Sequence, residues 1–211
     1  MKSYQLLIAR QHLRRTDPIM KHVIDHIGPC TLKRNPNRFE MLVRSIISQQ
    51  ISTAAARTVR DRVVSLVESR SGSKRITPPG LLALNIDDLR SAGCSQRKAE
   101  YILDLATKVD TGHVRLSTIG RRSNEAVIET LIQVRGIGRW TAEMFLMFSL
   151  SRLDVFPIDD LGVRNAMRNL YSLDRSASHD RFRAIAEKWQ PYASVGSWYC
   201  WRSLETEIPS R

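Results

Sequence analysis

At 211 residues the chain can fold as one sizeable domain or as two small subdomains with real cores. Lys and Arg total 33 against 21 Asp and Glu, and the net charge of +12 favours a polyanionic partner, nucleic acid first among them. No run of about 18 apolar residues suggests a membrane span, the charged segment from Met1 to Arg15 lacks a signal-peptide core, and Cys30, Cys94 and Cys200 are too scattered for a disulfide framework or a four-cysteine cluster, so a reducing, cytoplasmic (in a bacterium, nucleoid-associated) setting is expected.

In chain order the pattern is helical almost throughout. Phe39, Leu42, Val43, Ile46 and Ile47 recur on one helix face, and Val59, Val63 and Leu66 continue the pattern in a second helix after Ser52. Between them Ser48-Gln49-Gln50-Ile51-Ser52 interrupts with two amides. At a helix end these could enter a minor groove, donate to base edges or fill the gap left by a flipped nucleotide; inside a helix they would simply face solvent. Residues 69–80 read as a polar, basic surface loop broken by Pro78-Pro79-Gly80. Thr77 or a proline then opens a short helix ending at Gly93, and Ser95 caps a helix over 96–109. Ser123 caps another, with a stripe of Val127, Leu131 and Val134 that Gly136 stops. Residues 140–150 are apolar nearly all round and predict a buried, central helix. Further helices are expected over 160–171, 182–189 and 194–204, and no strand pattern survives comparison with the helical one.

Three constellations carry possible chemistry. The stretch Val134-Arg135-Gly136-Ile137-Gly138-Arg139-Trp140-Thr141-Ala142 places two glycines between helices, where positive φ and close approach make a tight hairpin. Backbone N–H groups at the next helix start, with Arg135 and Arg139, would grip phosphates without reading bases. Asp159 and Asp160 follow the turn Phe156-Pro157-Ile158, where an acid is a natural N-cap; the same carboxylate suits a developing oxocarbenium sugar and can orient a water. Trp140, Trp198, Tyr199 and Trp201 are either core or a stack for an extruded, cationic base; Trp198 or Tyr199 is expected inside, Trp140 or Trp201 at a pocket. His22 and His26 share a helix face, but no third ligand completes a site, so no metal is expected.

Together these residues resemble the helix-hairpin-helix DNA glycosylase superfamily, and within it the alkylpurine (3-methyladenine) DNA glycosylase II family. The similarity runs from about Asn37 to Trp201 and is strongest at residues 42–52, 134–150, 154–167 and 198–203. It implies that Asp160 is the essential acid, that Trp140 and Trp201 line the base pocket, and that Gln50 is the wedge filling the vacated stack. Met144, one turn from Trp140, stands where some relatives place an aromatic. Strand-cutting relatives carry a lysine where Trp140 stands, so the resemblance implies a monofunctional enzyme using water. Family hairpins can also hold a structural monovalent cation through backbone carbonyls; no other cofactor is implied.

The expectation is therefore an all-α protein of two helical subdomains, 38–150 and 1–37 with 151–211, with a helix-hairpin-helix motif and a central cleft. Catalysis falls to Asp160, the base pocket to Trp140, Trp201 and Met144. DNA contacts fall to Gln50, Ser52, Arg135, Gly136, Gly138, Arg139 and Thr141. The expected partner is duplex DNA containing alkylated bases, bound by a monomer with no membrane role. A non-enzymatic hairpin-based DNA-binding protein is the competing class, which would have no need of Asp160. A glycosylase for oxidised or mismatched bases is disfavoured by the missing lysine and cysteines.

Overall fold

Most helices begin where a short polar side chain stands ready to accept a first-turn N–H, and this punctuation sets the architecture. The computed structural model describes residues 3–208. In order the helices are α1 Ser3–Thr16, α2 Pro18–Ile27, α3 Arg38–Ser48, α4 Thr53–Ser71, α5 Pro78–Leu82, α6 Ile86–Ser91, α7 Gln96–Asp110, α8 Asn124–Leu131, α9 Arg139–Phe148, α10 Leu161–Tyr171, α11 His179–Ala186 and α12 Ala193–Ser203. Asp17, Asn37, Ser52, Thr77, Asn85, Ser95, Ser123 and Asp160 each cap the helix that follows. Among the described residues there is no strand, and no helix is long and apolar enough to cross a membrane. The protein is all-α.

Differences from the expected elements have local causes. The loop expected over 69–80 is shorter, because α4 continues to Ser71 before Gly72 ends it in the left-handed region. Gly80 lies inside α5 and is buried; a Cβ there would stand 2.9 Å from Val67 Cγ1, so only glycine lets α5 lie this close to α4. The single helix expected to end at Gly93 is two, since Asn85 and Asp88 form a reciprocal capping box that starts α6 afresh. Helices α1 and α2 are not among the expected elements, although Met20, Val23, Ile24 and Ile27 recur at helical spacing in α2. The start of α2 is also marked by Asp17-Pro18, an N-cap followed by proline at the first helical position.

The helices pack as two units. One comprises Asn35–Phe145; the other comprises the described residues up to Arg34 and from Leu146 onward. In the first of these, α7 is the hub, touching α3, α5 and α6, while α4 packs on α3 and α5. Its core includes the buried Leu42, Ile46, Val63, Leu81, Leu89, Ile102 and Leu105. In the other unit α12 is the hub, packed on α1, α2 and α10. It also lies against Trp189, where Gly196 comes so close to the ring that a Cβ would stand 2.6 Å from Cδ2.

Asp17 ties that second core together. Only 1% exposed, it accepts Ile19 and Met20 N–H on Oδ1, and the Tyr171 hydroxyl (2.5 Å) and Trp189 Nε1–H (3.1 Å) on Oδ2. Four donors satisfy a buried carboxylate that would otherwise be costly. The three cysteines are all free and buried. Burial pushes the Cys30 thiol up to about 11, and raises Cys94 and Cys200 as well.

Asp17→Ala removes a cap and strands two buried donors, so it should cost about 3 kcal/mol in urea denaturation. Asp25→Ala, which breaks the more open pair with Arg14, should stay within about 1 kcal/mol. Equal losses would contradict the assignment.

Candidate active site and nucleic-acid interface

Asp160 is held by a frame built almost wholly from α12 and the segment that leads into α10. Ser194, at the start of α12, accepts the Val155 N–H (3.0 Å) and donates to the Arg152 carbonyl (2.8 Å), while its own N–H donates to the Leu153 carbonyl (2.9 Å). This pins residues 152–155. The chain then turns through Pro157, whose carbonyl accepts the Asp160 N–H at 2.9 Å. Asp159 faces solvent, and Asp160, 7% exposed, turns inward.

As N-cap of α10, Asp160 accepts the Val163 N–H on Oδ1 at 2.8 Å. The same oxygen accepts Trp201 Nε1–H at 2.9 Å. Trp201 is itself fixed by stacking on Phe148, centroids 5.9 Å apart and planes within 25°. Gly162 makes room for this approach: a Cβ there would meet Asp160 Oδ1 and Trp201 Cδ1, both at 3.1 Å. Two donors on one oxygen fix the direction of the carboxylate. The C-terminal aromatics thus divide their tasks. Tyr199 is fully buried with its hydroxyl on the Gly28 carbonyl, Trp198 packs edge-on against it, and Trp201 serves Asp160. The fully buried tryptophan is Trp189, which no motif in the sequence singles out.

The hairpin, in the unit Asn35–Phe145, is braced by one face of α7. Asp104 Oδ2 accepts the Arg135 N–H at 2.9 Å and Lys108 Nζ at 2.7 Å, and Lys108 also donates to the Gln133 carbonyl. Burial pushes the Asp104 carboxyl up, but its hydrogen bonds from Lys108 and Arg135, and their charges, outweigh that and hold it below the usual aspartate range. The two glycines have different tasks. Gly136 has φ +80°, and it lies so near Tyr101 that a Cβ would stand 2.0 Å from the ring carbon Cδ2. A Cβ on Gly138 would meet nothing within 4 Å, and Gly138 does not require positive φ; it stands just before α9, and its carbonyl accepts the Ala142 N–H.

Both hairpin arginines already hold carboxylates. Arg135 lies 3.6 Å from Asp104 Oδ1 and 4.0 Å from Glu100; Arg139 bridges Glu125 and the buried Glu143. Thr141 is buried, and so is Met144, whereas Trp140 in the first turn of α9 is 44% exposed. The hairpin carbonyls of Val134 and Gly136 accept the Ile137 N–H and the Gln49 side-chain amide, so a monovalent cation would have to use their second lone pairs.

The α3–α4 connection projects Gln50. Its φ of +57° is unusual for a non-glycine residue, and its side chain is exposed. Three bonds hold the turn: Gln49 Nε2–H to the Gly136 carbonyl (2.8 Å), Lys98 Nζ to the Ile47 carbonyl (2.8 Å), and Ser52 Oγ accepting Ala55 N–H. Ser52 is therefore a cap, and Gln49 links this turn to the hairpin. Sequence reasoning places Tyr101 on the inward face of its helix but misses its contact with Gly136, and it misses Ser194, Asp104 and Lys98, whose roles arise only from distant partners.

Residues 43–191 match the HhH-GPD superfamily of base excision DNA repair proteins. The chain is 33% identical over 199 residues to DNA-3-methyladenine glycosylase 1 of Schizosaccharomyces pombe, covering 92% of this chain and 86% of that protein. It is similar in structure to a DNA-3-methyladenine glycosidase from Bacillus halodurans (TM-score 0.82, 34% identity, 92% of this chain and 88% of that one). It is also similar to the Schizosaccharomyces pombe 3-methyladenine DNA glycosylase in complex with abasic DNA (TM-score 0.81, 30% identity, 96% and 99%).

Gly136→Ala should destabilise the protein by more than about 2 kcal/mol, from positive φ and the Tyr101 clash, while Gly138→Ala stays within about 1 kcal/mol. Matched urea midpoints would refute the division of tasks. Because the folded pKa of Asp104 is lowered, its stabilisation is full above the unfolded value of about 3.9 and is lost as pH falls through the folded one. Asp104→Asn should therefore destabilise at pH 7 and lose much of that deficit in acid; a deficit independent of pH would overturn the charge argument.

Proposed function

The chain belongs to the HhH-GPD superfamily of base excision DNA repair proteins, and on that footing we propose that it is a monofunctional DNA glycosylase. It acts as a monomer and hydrolyses the N-glycosidic bond of alkylated purines, 3-methyladenine in type, in duplex DNA. The relatives named above, one of them held on abasic DNA, support this reading. The observation that carries it is the inward, doubly bonded carboxylate of Asp160.

Each assigned residue has a physical task. The first-turn amides of α9 take a phosphate, and Gly138, with open space where a side chain would stand, lets the sugar-phosphate chain come close. Arg135 and Arg139 hold the hairpin's shape through their carboxylates and lend it positive potential. Gln50, exposed on its strained turn, enters the space an everted nucleotide leaves, with Ser52 fixing the next helix. Trp140 and Trp201 present aromatic faces to an electron-poor base. Met144, buried in α9 one turn from Trp140, is assigned to the same base pocket.

An N-alkylated purine already carries positive charge. As the bond between C1′ and the base nitrogen breaks, its electron pair passes to the ring and neutralises that charge, so no dedicated general acid is needed. The carboxylate of Asp160 stabilises the sugar cation. Water then adds at C1′, releases a proton, and leaves an abasic site. Trp140 stands where strand-cutting relatives have an amine, which supports hydrolysis over Schiff-base chemistry.

Release of 3-methyladenine from methylated duplex, measured by chromatography, should fall at least about a thousandfold in Asp160→Asn. Trp201→Phe keeps the ring but loses the N–H, and should slow release at saturating DNA by about tenfold. Borohydride should trap no covalent adduct. Near-normal release by Asp160→Asn, or a trapped band, would refute the mechanism.

A further inference from the structure

Helix α10, which Asp160 begins, carries a second cluster that the glycosylase chemistry leaves unused. Arg164 follows one turn on, its N–H bonded to the Asp160 carbonyl at 3.0 Å. Its guanidinium forms no ion pair among the described residues. Instead Nη1 lies 3.2 Å from Nε2 of His179, the first residue of α11. A guanidinium only donates, so Nε2 is the acceptor and the proton sits on Nδ1. Arg164 Nε is buried with no hydrogen-bond partner, and so is Nε of Arg168 a further turn along. Several other arginines find acids, among them Arg14 with Asp25, Arg60 with Glu40 and Arg139 with Glu125, while Arg38 and Arg168 bond the neutral oxygens of Leu116 and Asn165. Arg164 rests on a neutral nitrogen. The one acid in the first turn of α11, Asp180, is taken by Arg183 at 2.9 Å, and Ser178, the N-cap, makes no side-chain capping bond.

We propose that Arg164 and His179 clamp a phosphate of the DNA strand that carries the everted nucleotide. This rests on the glycosylase reading and names a DNA contact within the same unit as Asp160. A phosphate oxygen would replace the imidazole as acceptor for the guanidinium, exchanging a neutral partner for a charged one, about twice as strong. His179, released from Arg164, keeps an N–H to donate to the same phosphate. Helical side chains lean toward their N-terminus, so the Arg164 stem runs back toward the Asp160 end of α10. A sugar facing Asp160 and its neighbouring phosphate at Arg164 are then served by adjacent turns of a single helix.

The test measures duplex affinity against salt concentration in the full chain, by fluorescence polarisation, with 3-methyladenine release from the unmutated protein assayed alongside. Arg164→Gln should weaken binding by about tenfold and reduce the slope of log affinity against log salt by about 1. His179→Ala loses a neutral donor and should weaken binding a few-fold with the slope unchanged. An unaltered slope in Arg164→Gln overturns the clamp. Should that variant fail to fold, phenylglyoxal labelling of the unmutated protein decides: duplex should protect Arg164, and equal labelling with and without duplex overturns the proposal. Base release with an unaltered slope sinks the clamp alone; a reduced slope without base release sinks the glycosylase reading and leaves a phosphate contact.

Discussion

One oxygen, Oδ1 of Asp160, is at once a helix cap and the anchor of the proposed chemistry. Its bonds to Val163 N–H and Trp201 Nε1–H couple the direction of the carboxylate to the start of α10 and to the register of α12. Everything around it preserves that coupling. Ser194 fixes the approach of the chain, Gly162 leaves space, and Phe148 keeps the indole in plane. Electrostatic stabilisation of a transient cation needs a group that does not reorganise during reaction, and a carboxylate bonded in this way is already set.

The hairpin follows the same logic with different parts. A turn that grips phosphate must hold its backbone amides in place without using side chains, so its rigidity has to come from outside. Helix α7 provides it through Tyr101 against Gly136, Asp104 on the Arg135 N–H, and Lys108 on the Gln133 carbonyl. Gln49 then ties the hairpin to the turn that displays Gln50. The two loops assigned to the duplex are thereby joined by a hydrogen bond.

Local signals are the legible ones. Caps such as Ser95, Ser123 and Asp160 and the apolar stripe of α3 need only neighbours in sequence, and the helices stand where they predict. The family, too, is readable from short ordered motifs. What cannot be read depends on partners far along the chain: Asp17 meets Tyr171 and Trp189 across more than 150 residues, and Ser194 meets Val155 across 39. Nothing in a serine or an aspartate announces such a partner. Nor does the GxG pattern show that Gly136 is packed on a ring while Gly138 faces open space.

The three buried cysteines carry a consequence for survival under chemical stress. Reagents that methylate purines also seek sulfur, and it is the thiolate that reacts. Burial keeps Cys30, Cys94 and Cys200 protonated at neutral pH and away from solvent. If alkylated purines are the substrate, as proposed, the agents that create it meet these three thiols in their less reactive, protonated and shielded form.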